Sequence, residues 1–220
     1  MIEPIFCSLS NAYLIKINDR NVLIDSGMSW DAKTILNFLQ KRIKKLDLIF
    51  LTHAHPDHYG ACRDIQESTG APIAIHHEDE ELLQSGKIFL GKTKGTGRLM
   101  KIFAWLYNRF PNRKIPEADL LVDDGDQFSS FGIEAEVIHT PGHTPGSSSL
   151  LFSDGSIFIG DLASSSGNPH IQKYFAQDWS ILANSLYKIK ARKPRLIYPG
   201  HGHQIIDGKL FDKLIEISTV

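Results

Sequence analysis

Among 220 residues only two are cysteine, Cys7 and Cys62, and they stand far apart. A disulfide framework is therefore not expected, and both are read as small buried hydrophobes. No apolar run approaches the roughly 20 residues that a membrane-spanning helix needs. The opening Met1-Ile2-Glu3-Pro4 has neither the basic start nor the apolar core of a signal peptide. These absences make a soluble, cytoplasmic protein the expectation. Net charge is also scarce, at −1 overall, so no global field points to nucleic acid or to an anionic membrane. Short repeats and low-complexity tracts are missing too. A 42% hydrophobic content over 220 residues suits one substantial domain, residues 1–220.

What the chain does have is histidine in one place. Leu51-Thr52-His53-Ala54-His55-Pro56-Asp57-His58 follows an apolar, strand-like stretch. Neutral imidazole and carboxylate are the ligands that metals such as zinc and iron favour. Residues two apart in an extended segment point the same way, so His53 and His55 can reach one ion together. Asp57 and His58 lie beyond Pro56, where the chain must bend, and can face a second ion. Three further segments put a ligand where a strand hands over to glycine or proline: Thr140-Pro141-Gly142-His143, Gly160-Asp161 and Pro199-Gly200-His201. Strand ends fix position while glycine lets the backbone come close. A metal site is the reading these residues support.

In this order, H-A-H-P-D-H, P-G-H, G-D and P-G-H-G resemble the motifs of the metallo-beta-lactamase superfamily, across nearly the whole chain. The resemblance implies an α/β fold, a four-layered αββα sandwich of two facing sheets with helices outside and the metal centre at one edge. It implies two divalent cations, zinc above all, with iron or manganese as alternatives. His53, His55 and His143 would hold one; Asp57, His58 and His201 the other; Asp161 would bridge them. Asp25 would sit beneath the site and orient a ligand histidine, or cap a turn in Asp25-Ser26-Gly27. The implied chemistry is hydrolysis by a hydroxide held between two metals, with Asp57 as a candidate catalytic proton shuttle. The bond cleaved would be an ester, thioester, lactone or phosphodiester.

The pattern of elements agrees with such layers. Ala12–Ile17 and Asn21–Asp25 read as a hairpin, Leu46–Leu51 and Ile73–Ile75 as strands, and Asp31–Arg42 and Tyr59–Thr69 as helices. Strands follow near Leu120–Val122, Ile133–Ile138, Ser148–Phe152, Ser156–Ile159 and Leu196–Tyr198. Helices are read at Glu78–Leu83, Asp178–Lys190 and Lys209–Ile217. Between the halves lies a basic insertion at about 86–118. From Gly86 to Lys114 it carries eight positive residues and no acid. Leu99, Met100, Ile102, Phe103, Leu106, Tyr107 and Phe110 give it an amphipathic helical spacing, after Gly91, Gly95 and Gly97, read as a flexible connection. Four roles stay open for it: a helix packed on its own domain, a lid favouring a small-molecule substrate with an apolar body and negative charge, a homodimer contact, or a membrane-surface helix.

Among the remaining histidines, His76 and His77 are expected to face solvent and His139 to be a packed or hydrogen-bonded neighbour of the site. His170, Tyr174 and Phe175 are candidates to line a substrate pocket, and the direction of His203 is left open by Gly202. The pattern resembles glyoxalase II-like thioesterases most fully, although Ser147 stands where they carry a histidine and only a short segment follows His201. A lactonase would carry a tyrosine where Ala163-Ser164-Ser165 stands, and β-lactamases proper usually lack a histidine like His58. A nuclease is disfavoured unless the insertion tracks a phosphate backbone. Persulfide dioxygenases, holding one iron on residues corresponding to His53, His143 and Asp161, are the main alternative to a hydrolase. A non-catalytic binding domain has no need of seven ligands.

Overall fold

Alternate residues along a strand face opposite sides of its sheet, and here both sides are apolar. Val22 and Ile24 fall into one buried cluster and Leu23 into another; Leu48 and Phe50 are likewise separated from Ile49. Such strands must be covered on both faces. A computed structural model, describing residues 1–110 and 114–218, shows what covers them. Residues 111–113 of the insertion, with Arg113 among its cations, lie outside the described residues.

The chain opens with strands β1 (Ile2–Phe6), β2 (Asn11–Ile17) and β3 (Arg20–Ile24), then helix α1 (Ala32–Gln40) and strand β4 (Leu48–Phe50). Short α2 (Pro56–Tyr59) and α3 (Cys62–Thr69) lead to β5 (Ile73–His76) and α4 (Glu80–Ser85). The insertion supplies β6 (Lys92–Thr93) and α5 (Gly97–Asn108), followed by β7 (Leu120–Val122). Strands β8 (Ala135–His139), β9 (Ser148–Phe152) and β10 (Ser156–Phe158) come next, then short β11 (Ala163–Ser165), β12 (His170–Ile171) and β13 (Phe175–Ala176). Helix α6 (Trp179–Ala191), β14 (Leu196–Tyr198), β15 (His201–Gly202), β16 (Ile206–Asp207) and α7 (Gly208–Ser218) complete it.

One sheet runs β1-β2-β3-β4-β5-β7 and the other β16-β14-β10-β9-β8. Tyr13, Phe50, Val137, Leu150 and Phe158 belong to the cluster between them. The outer face of the first sheet packs on Ile35 and Leu39 of α1, Ile65 of α3 and Leu83 of α4. That of the second meets Leu182, Leu186 and Ile189 of α6 and Phe211 and Ile215 of α7. The result is the αββα sandwich. Helix α6 begins where Asp178 accepts from the Ser180 and Ile181 N–H groups, satisfying two of the donors a helix start leaves over.

Some boundaries differ from expectation for local reasons. The helix read over Tyr59–Thr69 is divided: α2 opens early, with Pro56 at its first position, and ends at Tyr59, and α3 begins anew at Cys62. Strand β1 was unmarked, since Pro4 interrupts it; at the sheet edge a missing N–H costs no ladder bond. The insertion is anchored rather than hinged. Strand β6 pairs antiparallel with β13, and a Cβ on Gly97 or Gly91 would lie 2.2 Å from the Tyr174 carbonyl oxygen or 2.6 Å from that of Ala176. These glycines permit close approach; they are not a flexible connection. Both cysteines are free, Cys62 buried and Cys7 half-buried. No helix among the described residues is long and apolar enough to cross a membrane.

Candidate metal centre

Because β3 and β4 run parallel with Ile24 opposite Phe50, Asp25 comes to rest beside Thr52 at their carboxyl ends. Asp25 adopts φ +55°, a left-handed conformation that a non-glycine residue holds only when its surroundings fix it. What fixes it is a set of donors. Its Oδ1 accepts the Thr52 N–H at 2.8 Å, and its Oδ2 lies 2.8 Å from His58 Nδ1 and 2.9 Å from Thr52 Oγ1. The Thr52 hydroxyl donates to Asp25 and accepts from His53 Nδ1 at 3.0 Å. One buried carboxylate thus orients two histidines, directing Nε2 of each into the cleft.

The same device recurs around the site. His55 Nε2 lies 3.2 Å from the Phe89 carbonyl oxygen, leaving Nδ1 free, and His201 Nδ1 lies 2.7 Å from the Leu9 carbonyl oxygen, leaving Nε2 free. His143 projects from the Pro-Gly loop with Nε2 inward. Inside the cleft, His55 Nδ1 stands 3.0 Å from both His53 Nε2 and His143 Nε2. His55 Nδ1 can share at most one hydrogen with these two neighbours, so three ring nitrogens crowd together at a spacing that a cation between them would satisfy. Donors bound tetrahedrally at zinc-like distances would be about 3.3 Å apart, close to what is found.

Asp161 joins this group to a second one. Its Oδ2 lies 3.3 Å from His143 Nε2, while Oδ1 lies 3.3 Å from His58 Nε2 and 3.1 Å from His201 Nε2. Asp57 Oδ2 closes the second group, 3.5 Å from His201 Nε2. His58 Nε2 and Asp161 Oδ1 are buried and find no hydrogen-bond partner among the described residues. Two of the three groups of close-set ligating atoms among the described residues meet here, His53-His55-His143-Asp161 and Asp57-His58-His201; the third, His76-His77-Asp123, is separate from them. All seven residues singled out in the sequence meet here, and Asp25 lies beneath them.

Electrostatically the halves are unlike. Burial, reinforced by neighbouring imidazoles, pushes His53 well down. Burial likewise takes His143 to about 3, against the pull of Asp161. In the other half burial is outweighed by carboxylates: Asp25, Asp161 and Asp57 hold His58 well up, and Asp161 and Asp57 hold His201 at about 9. Burial opposes the charge of Asp161, yet His201, His58 and His143 hold its carboxyl well below the usual range. Cationic charge is wanted at the centre of this cluster.

A family model described as the metallo-beta-lactamase superfamily matches residues 5–201. The chain belongs to that superfamily. Hydroxyacylglutathione hydrolase of Pelagibacter ubique (strain HTCC1062) is 30% identical over 205 residues, covering 91% of this chain and 70% of that protein. The probable metallo-hydrolase YflN of Bacillus subtilis (strain 168) is 31% identical over 241 residues, covering 99% and 90%. Among solved structures, TTHA1623 in a di-iron-bound form is 25% identical with a TM-score of 0.65, covering 93% of each chain.

In this superfamily member a cavity of about 470 Å³ opens over the cluster. His55, Asp57, Asp161 and His201 form its floor. Its walls are mostly apolar, with Leu99, Met100 and Phe103 from α5, Ile88 and Leu90 before it, and Tyr174 and Phe175; Ser164, Ser166 and Gln172 also line it. Tyr174 and Phe175 are where the sequence suggested; His170 is not in the wall. His203 turns aside and stacks on Phe6 at 4.4 Å.

Two residues were misjudged or missed. Asp79 is fully buried and ties the histidine loops together, Oδ2 accepting from the Ala54 N–H at 2.8 Å and the Thr144 hydroxyl at 2.7 Å, Oδ1 from the Gly146 N–H at 2.7 Å. It had been absorbed into an acidic helix start. His76, expected in solvent, is 1% exposed and stacks on His139 at 3.8 Å. Its neighbour His77 is exposed as expected and pairs with Asp123 at 2.7 Å, while His139 bonds the Pro145 carbonyl oxygen at 2.8 Å. Burial, with His139 and His77, lowers His76 to about 4. Above the unfolded value of 6.5 both states are neutral there; below it the unfolded chain takes a proton that the folded chain refuses. Stability should therefore fall between pH 6.5 and 4, by up to about 3 kcal/mol. Urea unfolding of wild type and His76→Gln across that range checks this, the difference cancelling the acid response of the metal cluster. A variant with the same slope as wild type would exclude His76 as its source.

Proposed function

We propose that this chain is a metal-dependent hydrolase cleaving an ester, thioester, lactone or phosphodiester bond in a small molecule with an apolar body. The supporting observation is the convergence of two ligand groups on the two oxygens of Asp161. His53, His55 and His143 would hold one divalent cation, Asp57, His58 and His201 the other, with Asp161 shared; zinc is the favoured metal, iron and manganese the alternatives. Two such cations, when bound, supply ionised water near neutral pH and polarise the oxygen of the scissile group.

The chain's own residues do the rest. Asp25 holds the His58 ring directly and the His53 ring through Thr52, and this fixes which nitrogen of each faces the cleft. Asp57 is a quarter exposed and lines the cavity, and of the two carboxylates there it is the one that is not shared between the two groups. Its carboxylate is placed to take a proton from the attacking water and pass it to the leaving group. Leu99, Met100, Phe103 and Phe175 hold the apolar body and exclude water from one side of the reacting bond. None of the described lysines and arginines of the insertion lines the cavity, so the insertion offers the substrate mainly apolar contact.

A panel of esters, thioesters, lactones and phosphodiesters of graded acyl length, run on zinc-, manganese- and iron-loaded protein, tests the reading. Turnover should rise with acyl length, and Phe103→Ala should reduce kcat/KM for the longest substrates roughly tenfold, the scale of one buried aromatic contact. No hydrolysis by any metal form would overturn this reading, and oxygen consumption with one iron per chain would replace it with the dioxygenase.

A further inference from the structure

Helix α5 turns its apolar side away from the protein. Its buried residues are Gly97 and Ala104, seven apart and so on one side of the helix. Asn108 lies on the same side, its amide bonding both the N–H and the carbonyl of Ile88. Ile102 and Leu106 occupy the opposite side, 67% and 50% exposed. A helix resting on its own domain is expected to show the reverse.

The two flanks of this outward face differ. At 100° per residue, Arg98, Lys101, Trp105 and Arg109 fall on one flank, with the Arg109 guanidinium 5.5 Å from the centre of the Trp105 ring. No acid occurs anywhere from Gly86 to Lys114. Lys92 and Lys114, near the ends of this stretch, pair with Asp178 and Asp64, whereas Arg98 and Lys101 meet no carboxylate among the described residues. Leu99, Met100 and Phe103 form the other flank and are also the cavity wall. The outward apolar strip thus lies between a row of cations and the mouth of the cavity.

A second copy of the chain fits this face poorly. Pairing α5 with α5 antiparallel about a two-fold axis would set the cationic flanks side by side with no acid on either helix, and pairing them parallel would set each cationic flank against the partner's apolar flank. An anionic bilayer accepts apolar side chains and cations together, and tryptophan favours that boundary. We propose that α5 docks flat on an anionic lipid surface. Ile102 and Leu106 enter the acyl boundary while Arg98, Lys101 and Arg109 meet headgroup phosphates. Docking in this pose brings the cavity mouth to the bilayer, a route for an apolar substrate that rests on the hydrolase reading; the docking itself does not.

Sedimentation of the full chain with phosphatidylglycerol-containing vesicles, against pure phosphatidylcholine vesicles, tests the docking without catalysis. Binding is expected to the anionic vesicles only, and to weaken at high salt. The double substitutions Ile102→Glu with Leu106→Glu, and Arg98→Glu with Lys101→Glu, should each weaken it at least about tenfold. Brominated lipid should quench wild-type fluorescence more than that of Trp105→Phe. Thermal unfolding of each variant should match wild type, since these side chains are exposed. Failure to bind anionic vesicles, or equal binding by the double variants, overturns the proposal. So does a dimer that Ile102→Glu with Leu106→Glu disperses in the absence of vesicle binding, which would give the face to a second copy.

Discussion

Asp161→Ala is expected to lose hydrolytic turnover by at least about 10³-fold while the fold survives. The side chain is buried, yet its carboxylate oxygens face only the imidazoles of the cleft: His143 on one side, His58 and His201 on the other. Removing it breaks no helix cap and no sheet ladder, so circular dichroism should be unchanged. What it removes is the one group shared by both ligand sets, together with negative charge that lets cations approach each other. Metal retained after dialysis should fall from two equivalents per chain to one or none. Asp161→Asn sharpens the test, because it keeps one oxygen acceptor but presents an amide to the other half. It should retain more metal than the alanine variant and still turn over poorly. Full turnover by Asp161→Ala would refute a centre organised around that carboxylate.

The candidate ligands stood out in the chain because each sits where strand pattern gives way to glycine or proline. His143 follows β8 in a Pro-Gly loop, and Asp161 and His201 follow β10 and β14 in the same way. Alternation of apolar residues also revealed the buried strands, and Asp25 next to β3 was visible as an acid at a strand end. Other features have no local signature. Strands β11, β12 and β15 are two or three residues long and exist because the chain is held around the site; Ser164 pairs with both His170 and His201. His76 looked polar enough for solvent, but it is the last residue of β5, where the stacked His139 covers it. For α5, periodicity correctly gave a helix with an apolar side. Periodicity cannot say which side faces inward, and here small residues and one asparagine made the contact instead.

Asp79 illustrates the kind of residue that only the fold exposes, and its removal should have the second largest effect. Asp79→Ala leaves the Ala54 N–H, the Gly146 N–H and the Thr144 hydroxyl short of an acceptor in a region closed to water. Thr144 retains contact with Ser147 at 2.7 Å, so the two backbone donors are the main loss. Leaving a buried donor unmet costs about 1–3 kcal/mol, so a total near 3 kcal/mol is expected. In a chain of this size that corresponds to a fall in Tm of roughly 10 °C. The position of the lost bonds adds a functional consequence. Ala54 stands between His53 and His55, while Thr144 and Gly146 follow His143. Asp79 therefore sets the spacing between three imidazoles that converge at 3.0 Å, without itself entering the cluster. Metal affinity should drop about 10–100-fold, as it does when groups supporting metal ligands are removed. Asp79→Asn should recover part of the stability through its remaining carbonyl oxygen, and less of the affinity, because its amide opposes one of the N–H donors. The exposed Glu81, changed to alanine, should alter neither quantity. A chelator-competition titration alongside thermal unfolding separates the two effects. If Asp79→Ala lowered Tm while metal affinity stayed at the wild-type value, Asp79 would be a packing residue with no hold on the metal centre.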